Sequence, residues 1–465
     1  MFNLENHSDN PCLEGDGVVY RYSDVQREAV RVRGVLPGRN LVLCICENCI
    51  PSLLGYICLV VIDQVLILVE AGQPMPTIKL LLASYRPAYL WLPESRICEI
   101  EDTIVVWKLG HYVLVKVASG VLSPTLSERL QLLLTTSGST GSGKMVRLSR
   151  SNLLANATAI NEYLGIRPDD VAITTLPFSY SFGLSILHTH LMAGASIQVT
   201  QLSPLCREFW VLVQQRRVTS LSGVPYTFDM FKRVRFERFE LSAIRYLSQA
   251  GGKMGEDTLD YLHQVSREKA WSVFLMYGQT EASARMSYLP SELLEKKLGS
   301  IGQAIPGGRF ELVDGGGELI EAAGVQGELI YYGKNVALGY AKCASDLARG
   351  DDWNGRLTTG DLAFRDEDGF YYLSGRLKRF VKIFGKRISL DEVETLLRTG
   401  HPNCEFACHG QDNVLRIACV GELDCENVVL FLSQLLSLHR SAISCISVNH
   451  IPRLSNGKVN YTALA

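Results

Sequence analysis

The chain has 465 residues, 47% of them hydrophobic and 20% charged, with a formal net charge of -2. At roughly 100–200 residues per domain this length calls for two to four structural units, and the composition is that of an ordinary globular protein. The charge balance excludes both a basic field for nucleic acid and a polybasic membrane anchor. Thirteen cysteines, an odd number set mostly in apolar runs and with no signal peptide at the start, point to reduced thiols in a cytoplasmic protein.

Residues before about 135 alternate amphipathic helix and short apolar strand. Ser23 to Arg33 reads as a helix, Leu41 to Cys46 as a buried strand, Pro51 to Ile62 as a helix and Val65 to Val69 as the next strand. Asp63 and Gln64 interrupt the apolar stretch 53–69, which excludes a membrane span there. Cys44, Cys46 and Cys49 have apolar neighbours and no nearby His, so they are expected in the core; neither they nor Cys404, Cys408 and His409 are assigned a metal.

The strand-like run ending at Thr135 opens into Thr136-Ser137-Gly138-Ser139-Thr140-Gly141-Ser142-Gly143-Lys144. Glycines there let backbone N–H groups converge without a Cβ in the way, and hydroxyls with one ammonium complete a cradle for phosphate oxygens. A flexible linker is the plain alternative, but linkers seldom join a strand to a helix as this stretch does. A Walker loop would need a hydroxyl where Met145 stands.

A helix is predicted over 151–163 with Ser149 or Ser151 as its cap, then a strand over 171–176. The pattern continues through 196–200, 209–216, 218–222, 246–249 and 274–277 and argues for a parallel sheet with crossover helices. From Gly299 onward short strands broken by Asp314-Gly315-Gly316-Gly317 and Asp366-Glu367-Asp368-Gly369 read as hairpins. Past Arg376 a helix over 389–398, a strand over 414–420, a helix over 426–438 and a strand over 442–450 form a second, smaller domain.

Tyr277-Gly278-Gln279-Thr280-Glu281 offers an aromatic face, a hydroxyl for a phosphate oxygen and a carboxylate for a hard cation. Alone it would be a turn with a solvated acid. It is one of several motifs in order: the Ser/Thr/Gly loop, Ser248-Gln249-Ala250-Gly251-Gly252, Thr359-Gly360-Asp361, Gly375-Arg376-Leu377-Lys378 continuing to Lys382, Gly385, Arg387 and Glu392, and Pro452 through Gly457-Lys458. Together they resemble the adenylate-forming (AMP-binding) superfamily of acyl-CoA synthetases, luciferases and peptide-synthetase adenylation domains. The chain departs from that pattern at Gly143, where Pro is usual, and Met145, where Gly is usual.

The resemblance implies an α/β fold: a large N-terminal domain (1–374) of parallel-rich α/β layers with a small β-rich subdomain, and a small mobile α+β C-terminal domain (375–465). It implies that ATP and a carboxylic acid give an acyl-adenylate and pyrophosphate, and that the acyl group then passes to a pantetheine thiol of coenzyme A or a carrier protein. By the same resemblance Thr136, Ser137, Gly138, Ser139, Thr140, Gly141 and Lys144 hold phosphates. Thr280 meets the α-phosphate and Glu281 a magnesium ion. Gly251, Gly252, Tyr277 and Gly278 flank the nucleotide, Asp361 binds the ribose, Arg376 touches the nucleotide, Lys378 is the hinge and Lys458 acts in adenylation. A non-catalytic nucleotide-binding relative acting in an assembly is the alternative.

The acid's own pocket is expected from Tyr180, Ser181 and Gly183, and from Ala284 and Arg285, three and four residues past Glu281. No Asp stands where peptide-synthetase domains bind an α-amino group. Arg285 suggests a substrate with a second polar or anionic group, or else an arginine satisfied by a nearby acid at the pocket rim.

Overall fold

A computed structural model describes residues 4–117, 123–135, 144–377, 379–383, 386–411, 413–436, 438–454 and 456–464. The chain divides into two compact units, the first made of 1–298, 302–309 and 331–357, the second of 299–301, 310–330 and 358–465. The boundary expected at residue 375 falls inside the second of these.

The first unit holds two large sheets. In the eight-stranded sheet Leu41–Cys46 pairs in parallel with Val65–Glu70 and Tyr89–Pro93, and Val65–Glu70 with Leu130–Thr135. These strands are buried on both faces, so their sequences are continuous apolar runs rather than alternating ones. The nine-stranded sheet is parallel from Ser272–Tyr277 through Tyr246–Gln249, Ser220–Gly223, Val171–Ile173 and Ser196–Gln198 to Pro11–Gly15. Its outer strands are antiparallel additions, as is the hairpin Thr103–Leu109/Tyr112–Val117 on the other sheet.

The α/β alternation read from the sequence therefore holds at the centre of each sheet and gives way to hairpins at the margins. Helix Tyr22–Val35 starts one residue before the expected Ser23. Helix Arg150–Leu164 is capped by Ser149, whose hydroxyl accepts the Asn152 N–H while the Asn152 side chain bonds back. The strands expected over 171–176 and 196–200 are shorter, ending at Ile173 and Gln198. Helices Met75–Tyr85, Pro225–Arg233 and Glu256–Lys269 escaped the sequence reading. The apolar run 53–69 is a buried helix end, a turn and a strand; Asp63 takes the left-handed turn at φ 64°, and buried Gln64 accepts the Asn40 N–H at 2.8 Å. Among the described residues no helix is long and apolar enough to cross a membrane.

Two histidines lie wholly inside the first unit. Burial pushes His188 down to about 3 and His190 to about 4, and the Tyr56 hydroxyl shares a hydrogen bond of 2.6 Å with His188 Nε2. Above the ordinary histidine pKa both are neutral whether the chain is folded or not. Below it the unfolded chain takes up protons that the folded chain refuses, so stability falls with falling pH. The expected slope is about 1.4 kcal/mol per pH unit per histidine from about pH 6.5 downward. It is measured by urea midpoints between pH 7 and pH 5, and His188→Gln should flatten it.

The second unit carries the hairpin of Arg356–Arg365 with Tyr371–Arg376, mostly within its bounds, and a three-stranded sheet, Glu405–Gln411, Val414–Val420 and Ile443–Ser447, packed by helices Leu390–Gly400 and Cys425–Leu436. Asp366 closes a hairpin turn by accepting the N–H groups of Asp368 and Phe370, as expected for that stretch. Glu394, 4% exposed, gathers Arg379, Arg398, the Cys408 N–H and the Tyr461 hydroxyl. A buried carboxylate is tolerable only when so fully paired.

Candidate active site

The pentapeptide 277–281 leaves the end of strand Ser272–Tyr277 and turns through a short 3-10 helix, Thr280–Ala282. Its shape depends on Gly278, where an added Cβ would lie 1.7 Å from the carbonyl oxygen of Ala284. The chain after it is strained: Ser283 has φ 59° and Ala284 φ 108°, a region that residues with a Cβ rarely enter. Side chains from elsewhere hold this strain. Ser283 donates to the Asn335 carbonyl at 2.7 Å, Asn335 Nδ2 donates to the carbonyls of Ala282 and Arg285, and Asn156 Nδ2 donates to the Arg285 carbonyl at 2.7 Å.

Glu281 Oε1 accepts the Tyr340 hydroxyl at 2.8 Å. The Lys144 ammonium lies 3.4 Å from the centroid of the same tyrosine ring. One aromatic residue thus joins the last residue of the Ser/Thr/Gly loop to the expected cation ligand, and the Glu281 backbone is fixed by the Ala337 N–H at 2.9 Å. Burial, with Glu281 adding, pushes the Tyr340 phenol well above its usual range, so it stays a donor. The other oxygen of Glu281 has no protein partner among the described residues, and a hard carboxylate oxygen suits magnesium. Thr136 to Gly143 lie outside the described residues, so only Lys144 of that loop is located.

Tyr340 sits on strand Gly339–Ala341, which Arg147 clamps. That guanidinium is fully buried and donates to the carbonyls of Leu338, Tyr340, Arg349 and Gly350 and to Asp352. Arg147→Leu strips five acceptors of their donor. A loss of about 3–5 kcal/mol is expected, read as a lowered urea midpoint with unchanged m-value.

Ser181 Oγ stands 3.1 Å from Thr280 Oγ1, so the expected acyl-pocket segment and the 277–281 turn meet. Helix Ser181–Ala193 can start there because position 183 is glycine: a Cβ would come within 2.3 Å of the Pro177 carbonyl oxygen. Tyr180 is half-buried at the helix cap and its phenol is pushed up by burial. Arg285 is 1% exposed, its Nη1 is 3.4 Å from the Tyr163 hydroxyl, and its guanidinium carbon lies 4.9 Å from the centre of Phe182. No carboxylate pairs with it among the described residues. The satisfied-by-an-acid reading of this arginine is thereby corrected.

Gly251 and Gly252 follow strand Tyr246–Gln249, with φ 90° at Gly251 and Gln249 Nε2 donating to the Gly252 carbonyl at 2.8 Å. In the second unit Asp361 is 3% exposed and faces Arg376 across the ladder, Nε to Oδ1 3.0 Å. The guanidinium of that pair is open to solvent while the carboxylate is buried. Lys458 closes a tight turn: its carbonyl accepts the Leu454 N–H at 2.8 Å and its N–H donates to Asn456 Oδ1. Lys378 and Gly385 lie outside the described residues, as do the side chains of Lys382 and Arg387.

Sequence reasoning missed Tyr340, Asn335, Asn156 and Tyr163, which no local motif marks. It also missed that His111 Nε2 comes within 3.7 Å of both Cys49 Sγ and Glu47 Oε2, a group able to hold a metal ion.

The family model for AMP-binding enzymes matches residues 3–341. A 2-succinylbenzoate–CoA ligase of Bacillus cereus is 28% identical over 343 residues, 71% of this chain and 69% of that protein. YngI of Bacillus subtilis is 30% identical over 266 residues, 56% of this chain and 48% of that protein, so the chain spans about half the length of that relative. Among solved structures, o-succinylbenzoate CoA synthetase (MenE) of Bacillus subtilis with the acyl-adenylate OSB-AMP aligns with TM-score 0.77 at 19% identity, covering 100% of this chain and 98% of its own. ATP-bound MatB of Rhodopseudomonas palustris gives 0.77 at 22% identity, covering 99% and 97%. The fold is that of adenylate-forming enzymes. The chain belongs to the family of AMP-binding enzymes.

Proposed function

We propose that the chain activates a small carboxylic acid with ATP and passes the acyl group from the adenylate to coenzyme A. The observation that carries this is the contact set Lys144–Tyr340–Glu281 beside Thr280–Ser181, which gathers a phosphate cation, a metal-binding carboxylate and the entrance of an acid pocket within one unit. Thr136 through Gly141 with Lys144 would hold the β- and γ-phosphates, and Thr280 would donate to the α-phosphate. A magnesium ion on Glu281 supplies charge neutralisation when bound. Gly251, Gly252, Tyr277 and Gly278 would flank the base, and Asp361, released from Arg376, would accept the ribose hydroxyls.

Charge builds on the α-phosphate as the substrate carboxylate attacks, so donors fixed beforehand lower the barrier most. Lys458 is the residue proposed to reach the attacked phosphorus. Residues 375–465 are proposed to turn about Lys378 between the two half-reactions, since a few residues absorbing backbone rotation suffice for such closure. The names of the relatives support coenzyme A as the thiol; a carrier protein is the second acceptor to compare. Thirteen unpaired cysteines support a reducing, cytoplasmic setting.

The test is acid-dependent ATP–pyrophosphate exchange, followed by thioester formation with coenzyme A and, separately, with carrier proteins. Exchange with at least one acid is expected. ATP binding with no exchange across short, hydroxylated, aryl and dicarboxylic acids would leave the non-catalytic reading standing. Tyr340→Phe should lower exchange about tenfold and raise the magnesium concentration needed, because Glu281 loses its orienting donor.

A further inference from the structure

Arg285 is a fully buried cation that no carboxylate pairs with among the described residues. Its Nε is enclosed and without a hydrogen-bond partner, its Nη2 has no protein partner among the described residues, and its one polar neighbour is the Tyr163 hydroxyl at 3.4 Å. The desolvation penalty for a lone buried ion is several kcal/mol even after relaxation. The Phe182 ring at 4.9 Å returns about 2 kcal/mol at most. Packing alone would be served better by an apolar side chain of the same volume. The nearby carboxylate of Asp170 is already taken by Arg245, and His190 is held neutral by burial, so neither serves as a counter-ion.

The backbone that carries this arginine is fixed rather than loose. Its carbonyl takes two amide donors, from Asn156 and Asn335, and the two residues before it sit at φ 59° and 108°. Strain of that kind persists only where the surroundings over-determine it, and it marks ligand clamps. The same Asn156 leaves its own Oδ1 buried and unpartnered, a second unmet polar atom at this place.

We propose that Arg285 recognises a second carboxylate on the acid, so that the substrate is a short dicarboxylic acid activated at one end and clamped at the other. The proposal rests on the ligase reading above. The spacing favours a short chain. Ser181 touches Thr280, where the α-phosphate is expected, and Phe182, the very next residue, is the one under the guanidinium. Adjacent residues of one helix therefore meet the expected α-phosphate site and the clamp, and a diacid series of increasing length reads the span between them. A planar guanidinium meets a carboxylate with two parallel N–H···O bonds, which a lysine cannot copy.

The experiment compares malonate, succinate and glutarate with propionate, butyrate and valerate in pyrophosphate exchange, using the full chain and its Arg285→Leu and Arg285→Lys variants. Wild type should favour the diacid of best length over its monoacid partner by about 10- to 100-fold in kcat/KM, the worth of a hydrogen bond to a charged group. Arg285→Leu should remove most of that ratio, and Arg285→Lys should keep an intermediate one. Thermal shift supplies a reading independent of turnover: with AMP present, the preferred diacid should raise the Tm of wild type and not of either variant to the same extent. A wild type that takes monoacids equally well, or a ratio and shift unchanged by Arg285→Leu, overturns the clamp while leaving the ligase intact. Exchange with neither series but a diacid-specific shift lost in Arg285→Leu overturns the ligase reading and leaves the clamp.

Discussion

Lys458→Ala is expected to slow acid-dependent pyrophosphate exchange by about two to three powers of ten, the usual effect of removing one preorganised donor from a developing oxyanion. The turn that carries Lys458 is braced on both sides within its own unit. On one side Arg453 donates to the Gly457 carbonyl at 2.8 Å and pairs with Glu405. On the other the Tyr461 hydroxyl reaches Glu394 at 3.2 Å while its ring lies 4.0 Å from the Arg379 guanidinium carbon. The ammonium is therefore presented by a stiff support, and truncating it should alter rate without altering the fold. Thioester formation from synthetic acyl-adenylate should fall much less, because the lysine is assigned to the first half-reaction only. Equal losses in both halves, or none in the first, would remove Lys458 from the role given to it.

Gly278→Ala is expected to cost about 1–3 kcal/mol of stability and about a hundredfold in exchange rate. The steric part is the forced overlap with the Ala284 backbone, which has no flexible side-chain end to move aside. The catalytic part follows from what hangs on that backbone: Thr280, Glu281 and Arg285 all belong to the turn that must shift, and a displacement near 1 Å of positioning groups costs about two powers of ten. Exchange kinetics and urea midpoints measured on the same preparation separate the two. A variant as active and as stable as wild type would mean that the turn is softer than its contacts indicate.

The parallel strands of the first unit were legible because burial on both faces writes itself as unbroken apolar runs: the expected and observed limits of Leu41–Cys46 coincide. The 277–281 turn was legible because it stands in order among several motifs, whereas alone it reads as a turn with a solvated acid. Tyr340 was not, since it meets Glu281 from 59 positions away through a pairing that only the folded sheet creates. Arg285 was half legible. Its place after Glu281 could be read, but its lack of a counter-ion among the described residues is a property of three-dimensional burial. The marginal hairpins were missed because an edge strand such as Thr103–Leu109 has no fully buried position and shifts register between Val105 and Trp107, so neither a buried run nor a strict alternation marks it.

The sequestered thiols have a practical consequence. Cys44 lies wholly inside the first unit, and Cys408 inside the second; burial pushes each well above the usual thiol range. Neither can meet an alkylating reagent until its surroundings open, whereas Cys98 and Cys343 are exposed from the start. Timed alkylation read by peptide mass therefore gives two clocks in one molecule, one for each unit. Their ratio with and without nucleotide reports which half of the protein ATP tightens.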